Sequence, residues 1–427
     1  MSASEDAVTL KTVVRDAVHR VPAVDMHTHL YDPRFGDLLL RGVDELLTYH
    51  YLVAELFRFR PTIRKGSEAT PLTPDAFFDF TKPQQAEWVW RTLFLENSPL
   101  SEATRGVLTS FGMMGLDAKS RNLEDYRRHF ADLSAAEHID RVFKAANLES
   151  AVMTNDPFDD AERPLWMKPG TGDKRFPASL RIDPLLADWK AASKRLKQWG
   201  YAVKSKADKI THREIRRFLD DWRERIQPLY LAASVGDAFD AGDGSEGANI
   251  LHHAVLPFCR ERRLPFALMI GCRKQINPAL RLAGDGVRAV DLRWVEKLAA
   301  ACPDNRFLVT TLSREDQHTL CVIARKFANL MPFGCWWFLN DPMTVDEMTR
   351  MRLELLGTSF IPQHSDARVL DQAAYKWAHS RRLIGRALQD KYEDLFRTGW
   401  RATAEEIERD ARNLLSGNFK RFVGMKD

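Results

Sequence analysis

The chain has 427 residues, with 63 Lys+Arg against 59 Asp+Glu and 44% hydrophobic residues, the balance of a globular protein able to bury a large core. This excludes disordered and collagen-like classes, and a formal net charge of +4 without long runs of like charge excludes a nucleic-acid footprint. Cys259, Cys272, Cys302, Cys321 and Cys335 stand singly with no Cys-x-x-Cys pair, which argues against a disulfide framework or a thiolate zinc site. The first twenty residues lack the apolar stretch of a signal peptide, and no apolar run nears the ~20 residues of a membrane helix. A cytoplasmic protein with no membrane partner is the expectation.

In chain order, eight short apolar runs read as buried parallel strands: 21–27, 150–155, 176–182, 228–234, 265–271, 306–312, 330–338 and 358–364. Helical spacing fills most of the gaps. The segment after the sixth run opens on Ser313, a natural N-cap, and the helix before the eighth ends at Gly357, a natural C-cap. Strand and helix alternating eight times predict a (β/α)8 TIM-type barrel, with a doubly wound sheet as the rival. The first connection is far longer than the rest, and DELLTYHYLVAELFRF, PQQAEWVWRTLFLE and LEDYRRHFADLS within it read as helices. One domain over 1–427, with a helical insertion at about 52–148 covering one end of the barrel, is expected.

Barrel enzymes place their chemistry at the carboxyl ends of the strands. There the first strand carries Asp25-Met26-His27-Thr28-His29, and residues two apart on a strand share a side, so both imidazoles can face one cation. The eighth ends in His364-Ser365-Asp366-Ala367-Arg368, and in a closed barrel it lies beside the first. His27, His29 and Asp366 therefore form a candidate two-histidine, one-carboxylate metal site; the plain alternative is polar capping of strand ends. His364 is a candidate support for that site. By the same alternation only one of Trp336 and Trp337 is expected in a pocket. Asn155, Asp156 and Asp183 end strands and are candidate hydroxyl ligands or loop formers, whereas His129, His138, His252 and His253 read as structural.

These residues and several longer stretches resemble the uronate isomerase (glucuronate isomerase) family of the amidohydrolase superfamily. The likeness runs through DMHTHL at 25–30, the Tyr49-His50-Tyr51 triplet, TNDP at 154–157, LRIDP at 180–184, FGCWWF at 333–338 and SDAR at 365–368. It implies that His27, His29 and Asp366 hold the metal, that His50 and Tyr51 lie in the active site, and that Arg181 and Arg368 contact the substrate. An Asp-His-Gly triplet frequent in the family is absent, His212 being its nearest counterpart and reading as helical; Asp-Ala-Arg stands for the usual Asp-Ser-Arg. Tyr375-Lys376-Trp377-Ala378-His379 likewise replaces a common Arg-His-Glu run.

The expected function is interconversion of an aldose uronate and its ketose form, D-glucuronate to D-fructuronate and/or D-galacturonate to D-tagaturonate. A proton moves from C2 to C1 through an enediol, aided by one divalent ion, zinc first with manganese or another as alternatives. Asp366 is the first candidate base, with Tyr51 and His50 behind it. Arg181 and Arg368 suit a carboxylate, and Trp336 and His29 complete the substrate-binding set. Hydrolysis of a carboxylate-bearing substrate is the alternative, and a non-catalytic sugar-acid binder the third reading. The expected partners are a small uronate and further copies of the chain.

Overall fold

The structure, a computed structural model, describes residues 3–425 apart from 169 and 171, so the extreme ends of the expected 1–427 domain lie outside the described residues. A first helix, α1 (Ala3–Arg20), leads into β1 (Ala23–Thr28), all six residues of which are buried. The other parallel strands are β2 (Leu148–Asn155), β3 (Ala178–Arg181), β4 (Leu231–Gly236), β5 (Phe266–Arg273), β6 (Phe307–Thr311) and β7 (Leu330–Pro332). Each pairs with its successor, so the sheet order follows the sequence order. That order, with helices between the strands, curls the sheet into a TIM-type barrel.

The expected eighth strand is not a ladder strand. The chain runs extended there, but only one bridge, Phe333 to Ile361, pairs it with the end of β7. One residue type and one backbone angle explain this. Pro362 has no N–H to donate, and Asp366 has φ of 53°, which ends any extended conformation. Side chains replace the missing ladder: Gln363 Oε1 accepts from Cys335 N at 3.1 Å, and Asp25 Oδ1 accepts from Ser365 N at 2.9 Å. The barrel then closes on β1 through Asp366 N to His27 O at 3.2 Å and His29 N to Ala367 O at 2.8 Å.

The connection between β1 and β2 is mostly helical, as the apolar spacing predicts, including α2 (His50–Arg58), α3 (Glu102–Met113) and α4 (Ala135–Ala146). It also holds an unforeseen antiparallel hairpin, Thr62–Lys65 with Glu68–Pro71, whose tight turn uses Gly66 at φ of 61°. Leu46, Leu56, Phe77, Phe111 and Ile139 of the insertion share one continuous apolar core with strand residues such as Ala151 and Leu180. A second cluster, with Val24, Met26, Ala232, Met269 and Leu308, fills the barrel itself. After α5 (Pro342–Leu356) comes the longest helix, α6 (Leu370–Arg397), which packs against α1, α3, α4 and α5. Among the described residues no helix is long and apolar enough to cross a membrane.

The start of α6 is tied to the insertion by a buried pair. His138 Nε2 lies 2.6 Å from Asp371 Oδ1, both side chains fully buried, and Gly42 N donates to Asp371 Oδ2 at 2.9 Å. Removing the imidazole strands a buried carboxyl, so His138→Ala is expected to cost about 3 kcal/mol of stability. The measurement is the urea midpoint, which falls at unchanged slope.

Candidate active site

A cavity of about 330 Å3 opens at the carboxyl ends of the strands. Its volume lies at the small end of the roughly 300–1,000 Å3 usual for ligand sites. His27, His29 and Asp366 stand together in its wall, with one ligand-capable atom of each within 4.8 Å of the others. His27 Nε2 and His29 Nε2 are 3.7 and 3.4 Å from Asp366 Oδ1.

The hydrogen bonds around His29 fix what these atoms can do. The Thr154 hydroxyl donates to Thr28 O at 2.9 Å, so toward His29 Nδ1, at 3.1 Å, it acts as acceptor. This assigns the imidazole proton to Nδ1 and leaves a lone pair on Nε2, facing the carboxylate. Burial and then the Arg368 guanidinium lower the His29 pKa to about 4, so no second proton fills the gap near neutrality. Burial also takes His27 well below its ordinary value, with His364 adding to the effect. Burial pulls the Asp366 carboxyl up, but His29, His27 and His364 around it outweigh this and hold it below the usual carboxylate range. Two neutral imidazoles, one with its Nε2 lone pair directed inward, and one anionic carboxylate converge on one point. That donor set fits a divalent cation.

Behind the triad, His364 is fully buried with neither ring nitrogen bonded, its ring 5.2 Å from that of His27. Gly334, at φ of 63°, makes room for it: a Cβ there would lie 1.7 Å from His364 Nδ1. Asp366 itself holds a left-handed conformation, tolerable for aspartate and typical of strain kept at functional sites.

The two arginines differ. Arg181, at the end of β3, is held by the Asp183 carboxylate and lies 3.5 Å from Ser234 Oγ, with Nε unpartnered. Arg368 lines the same cavity and forms no ion pair among the described residues. It is the free guanidinium of the site.

Other side chains sort less evenly against expectation. His50 lines the cavity, and burial followed by the nearby Arg368 lowers its pKa to about 3. Tyr51, expected there, does not line it. Its ring stacks on Phe338 at 6.2 Å, with Lys376 Nζ 5.6 Å away, while Tyr49 lines the cavity instead. The expected continuous helix breaks at Tyr49, which is extended at φ −61° and ψ 141°, so Tyr49 and His50 face the cavity and the next residue turns away. Trp336 and Trp337 both line it, against the alternation argument, because Trp337 at φ of 47° leaves the extended conformation. Asp183 is in the wall; Asn155 and Asp156 are not, the former donating to the buried Glu162 at 2.8 Å. Lys274, unforeseen, joins the wall with Nζ 2.8 Å from Asp285 and 5.4 Å from the Trp337 ring. As the sequence indicated, His212 is helical, and it stacks on His253 outside the cavity.

No family model matches the chain, and no curated protein does. Among solved structures, a uronate isomerase from Bacillus halodurans C-125 is 48% identical over 100% of this chain and 98% of that one, with a TM-score of 0.95. The chain belongs to the uronate isomerase family. Members of this family are aldose–ketose isomerases, so the chain is an enzyme of that type. A glucuronate isomerase from Caulobacter crescentus (15% identity, 100% and 96% covered, TM-score 0.76) has the same fold. So does a uronate isomerase from Thermotoga maritima (14%, 98% and 97%, 0.71). In this uronate isomerase chain the sequence marked the imidazole pair, the carboxylate and both arginines.

Replacing Thr154 by Val removes the acceptor that sets the His29 tautomer, and divalent-metal affinity is expected to fall about 10- to 100-fold. Competition with a chromogenic chelator reads this directly, and unchanged affinity contradicts the assignment. Gly334→Ala forces the His364 ring that packs on His27 to shift and is expected to weaken binding in the same assay.

Proposed function

We propose that the enzyme interconverts an aldose hexuronate and its ketose form, D-glucuronate with D-fructuronate and/or D-galacturonate with D-tagaturonate, at a site holding one divalent ion. The observation that carries this is an unpaired guanidinium, Arg368, in one small cavity with two neutral imidazoles and an ionised carboxylate. The reaction needs a grip on the substrate carboxylate, neutralisation of a developing oxyanion, and a base at the C2 proton.

Arg368 supplies the grip, because its planar fork matches a carboxylate bidentately and no protein acid competes for it. Arg181 is half neutralised by Asp183 and serves better as a donor to a hydroxyl or to the second carboxylate edge. His27, His29 and Asp366 would hold the ion, which when bound supplies Lewis acidity toward the carbonyl and adjacent hydroxyl oxygens. Asp366, ionised and beside the reacting carbons, takes the proton from C2 and returns it to C1, proximity offsetting its weak basicity. His50, kept neutral, and Tyr49 are placed to bond sugar hydroxyls. Trp336 and Trp337 give the sugar an apolar wall and limit water around the enediol.

The test is turnover of D-glucuronate and D-galacturonate by the zinc- or manganese-loaded enzyme, followed by NMR in deuterated water. Ketose product from either sugar supports the reading; no product from both with both metals overturns it. Asp366→Asn is expected to lower kcat by at least about 100-fold. Arg368→Lys keeps the charge but loses the fork, and KM should rise about tenfold with a smaller change in kcat.

A further inference from the structure

At the other end of the barrel, a groove of about 450 Å3 lies between α1 and α6. Lys11, Arg15 and His19 recur every four residues along α1, and Arg382 and Arg386 do the same on α6, so two basic rows line one groove. Lys11, Arg382 and Arg386 enter no ion pair among the described residues, and Arg15 contacts only Asp16 on its own helix. Asp390, the single acid in the wall, is bonded to Arg350 at 2.6 Å. All five basic side chains of the two rows are exposed among the described residues.

A buried arginine also lines this groove. Arg381 is 4% exposed and has no carboxylate partner; its guanidinium donates only to the carbonyls of Val18, Val21, Ala146 and Asn147. Burial lowers its pKa only to about 10, so it stays charged at neutral pH. Those four carbonyls belong to chain entering β1 and β2, which puts the groove at the amino ends of the strands, opposite the cavity of the triad. Facing rows of like charge above a buried, uncompensated guanidinium repel one another, and a concave wall focuses the resulting potential. Nothing in the isomerase chemistry uses this arrangement.

We propose that the groove is a second ligand site, taking a small, multiply charged anion bearing phosphate or carboxylate groups. Two cations from each helix line the groove and can contact such an anion at once.

The test is calorimetric titration of the full-length, metal-loaded enzyme with inorganic pyrophosphate and, separately, tricarballylate, at about 0.15 M salt so that non-specific attraction is screened. Saturable binding of pyrophosphate alone marks a phosphate ligand, and binding of both marks a general polyanion site; either supports the proposal. Arg382→Glu with Arg386→Glu, and independently Lys11→Glu on the facing helix, should each weaken binding at least about tenfold. Absence of binding of either anion at about 10 mM overturns the proposal. Equal binding by wild type and variants also overturns it, since capture of the active-site metal by pyrophosphate would behave in that way. Sedimentation provides the remaining outcome: if the anions do not bind and charge reversal shrinks the assembly, the groove is a contact between copies, and the proposal fails. Isomerase activity is a separate readout, so failure here leaves the assignment of the catalytic cavity standing.

Discussion

The buried carboxylate of Asp25 is the constraint on which the active centre depends. It accepts from Ser365 N at 2.9 Å and from Trp377 Nε1 at 2.8 Å, joining β1, the returning eighth segment and α6 at one point. Without a ladder between that segment and its neighbour, its height along the barrel rests on individual bonds such as these, with Asn340 Nδ2 donating to His364 O and Ser365 O at 3.1 and 3.0 Å beside them. The height decides whether Asp366 meets the two imidazoles, because Asp366 follows Ser365 directly and its own amide bonds His27 O. A carboxylate outside the cavity wall thus helps set the geometry of the groups within it.

Charge is distributed around this junction by burial more than by pairing. His27, His29 and His50 all lose their affinity for protons chiefly because water is excluded, while the pKa of the acid among them lies below the usual carboxylate range. The cavity is therefore left with one uncompensated anion and one uncompensated guanidinium, a polarity that orients a ligand carrying both a carboxylate and polarisable oxygens. Arg181 and Lys274 look equivalent to Arg368 by residue type, yet each already has a carboxylate, and only the three-dimensional neighbours reveal the difference.

Much of this was legible from the residues in order. Apolar runs of strand length separated by helical spacing identify a parallel barrel, and a His-x-His at the first strand with an Asp after the eighth segment identifies the triad, because closure makes the chain's two extremes neighbours. What escaped were features decided by single backbone angles. The left-handed turns at Trp337 and Asp366, the helix break at Tyr49 and the proline that silences the eighth ladder each alter which side chains face inward. Propensity and periodicity average over such events. Thr154 stands in the TNDP stretch of the family likeness, but its role was not legible, since a hydroxyl's choice between donating and accepting depends on partners far away in sequence.

The connection between β1 and β2 donates Tyr49 and His50 to the cavity while its own apolar residues merge with those beneath the strands. Rim and foundation are thus one body. Moving the rim from another enzyme to change which sugar epimer fits would open voids under the strands unless the underlying layer were rebuilt with it, so evolution of preference in this lineage is coupled to evolution of the interior.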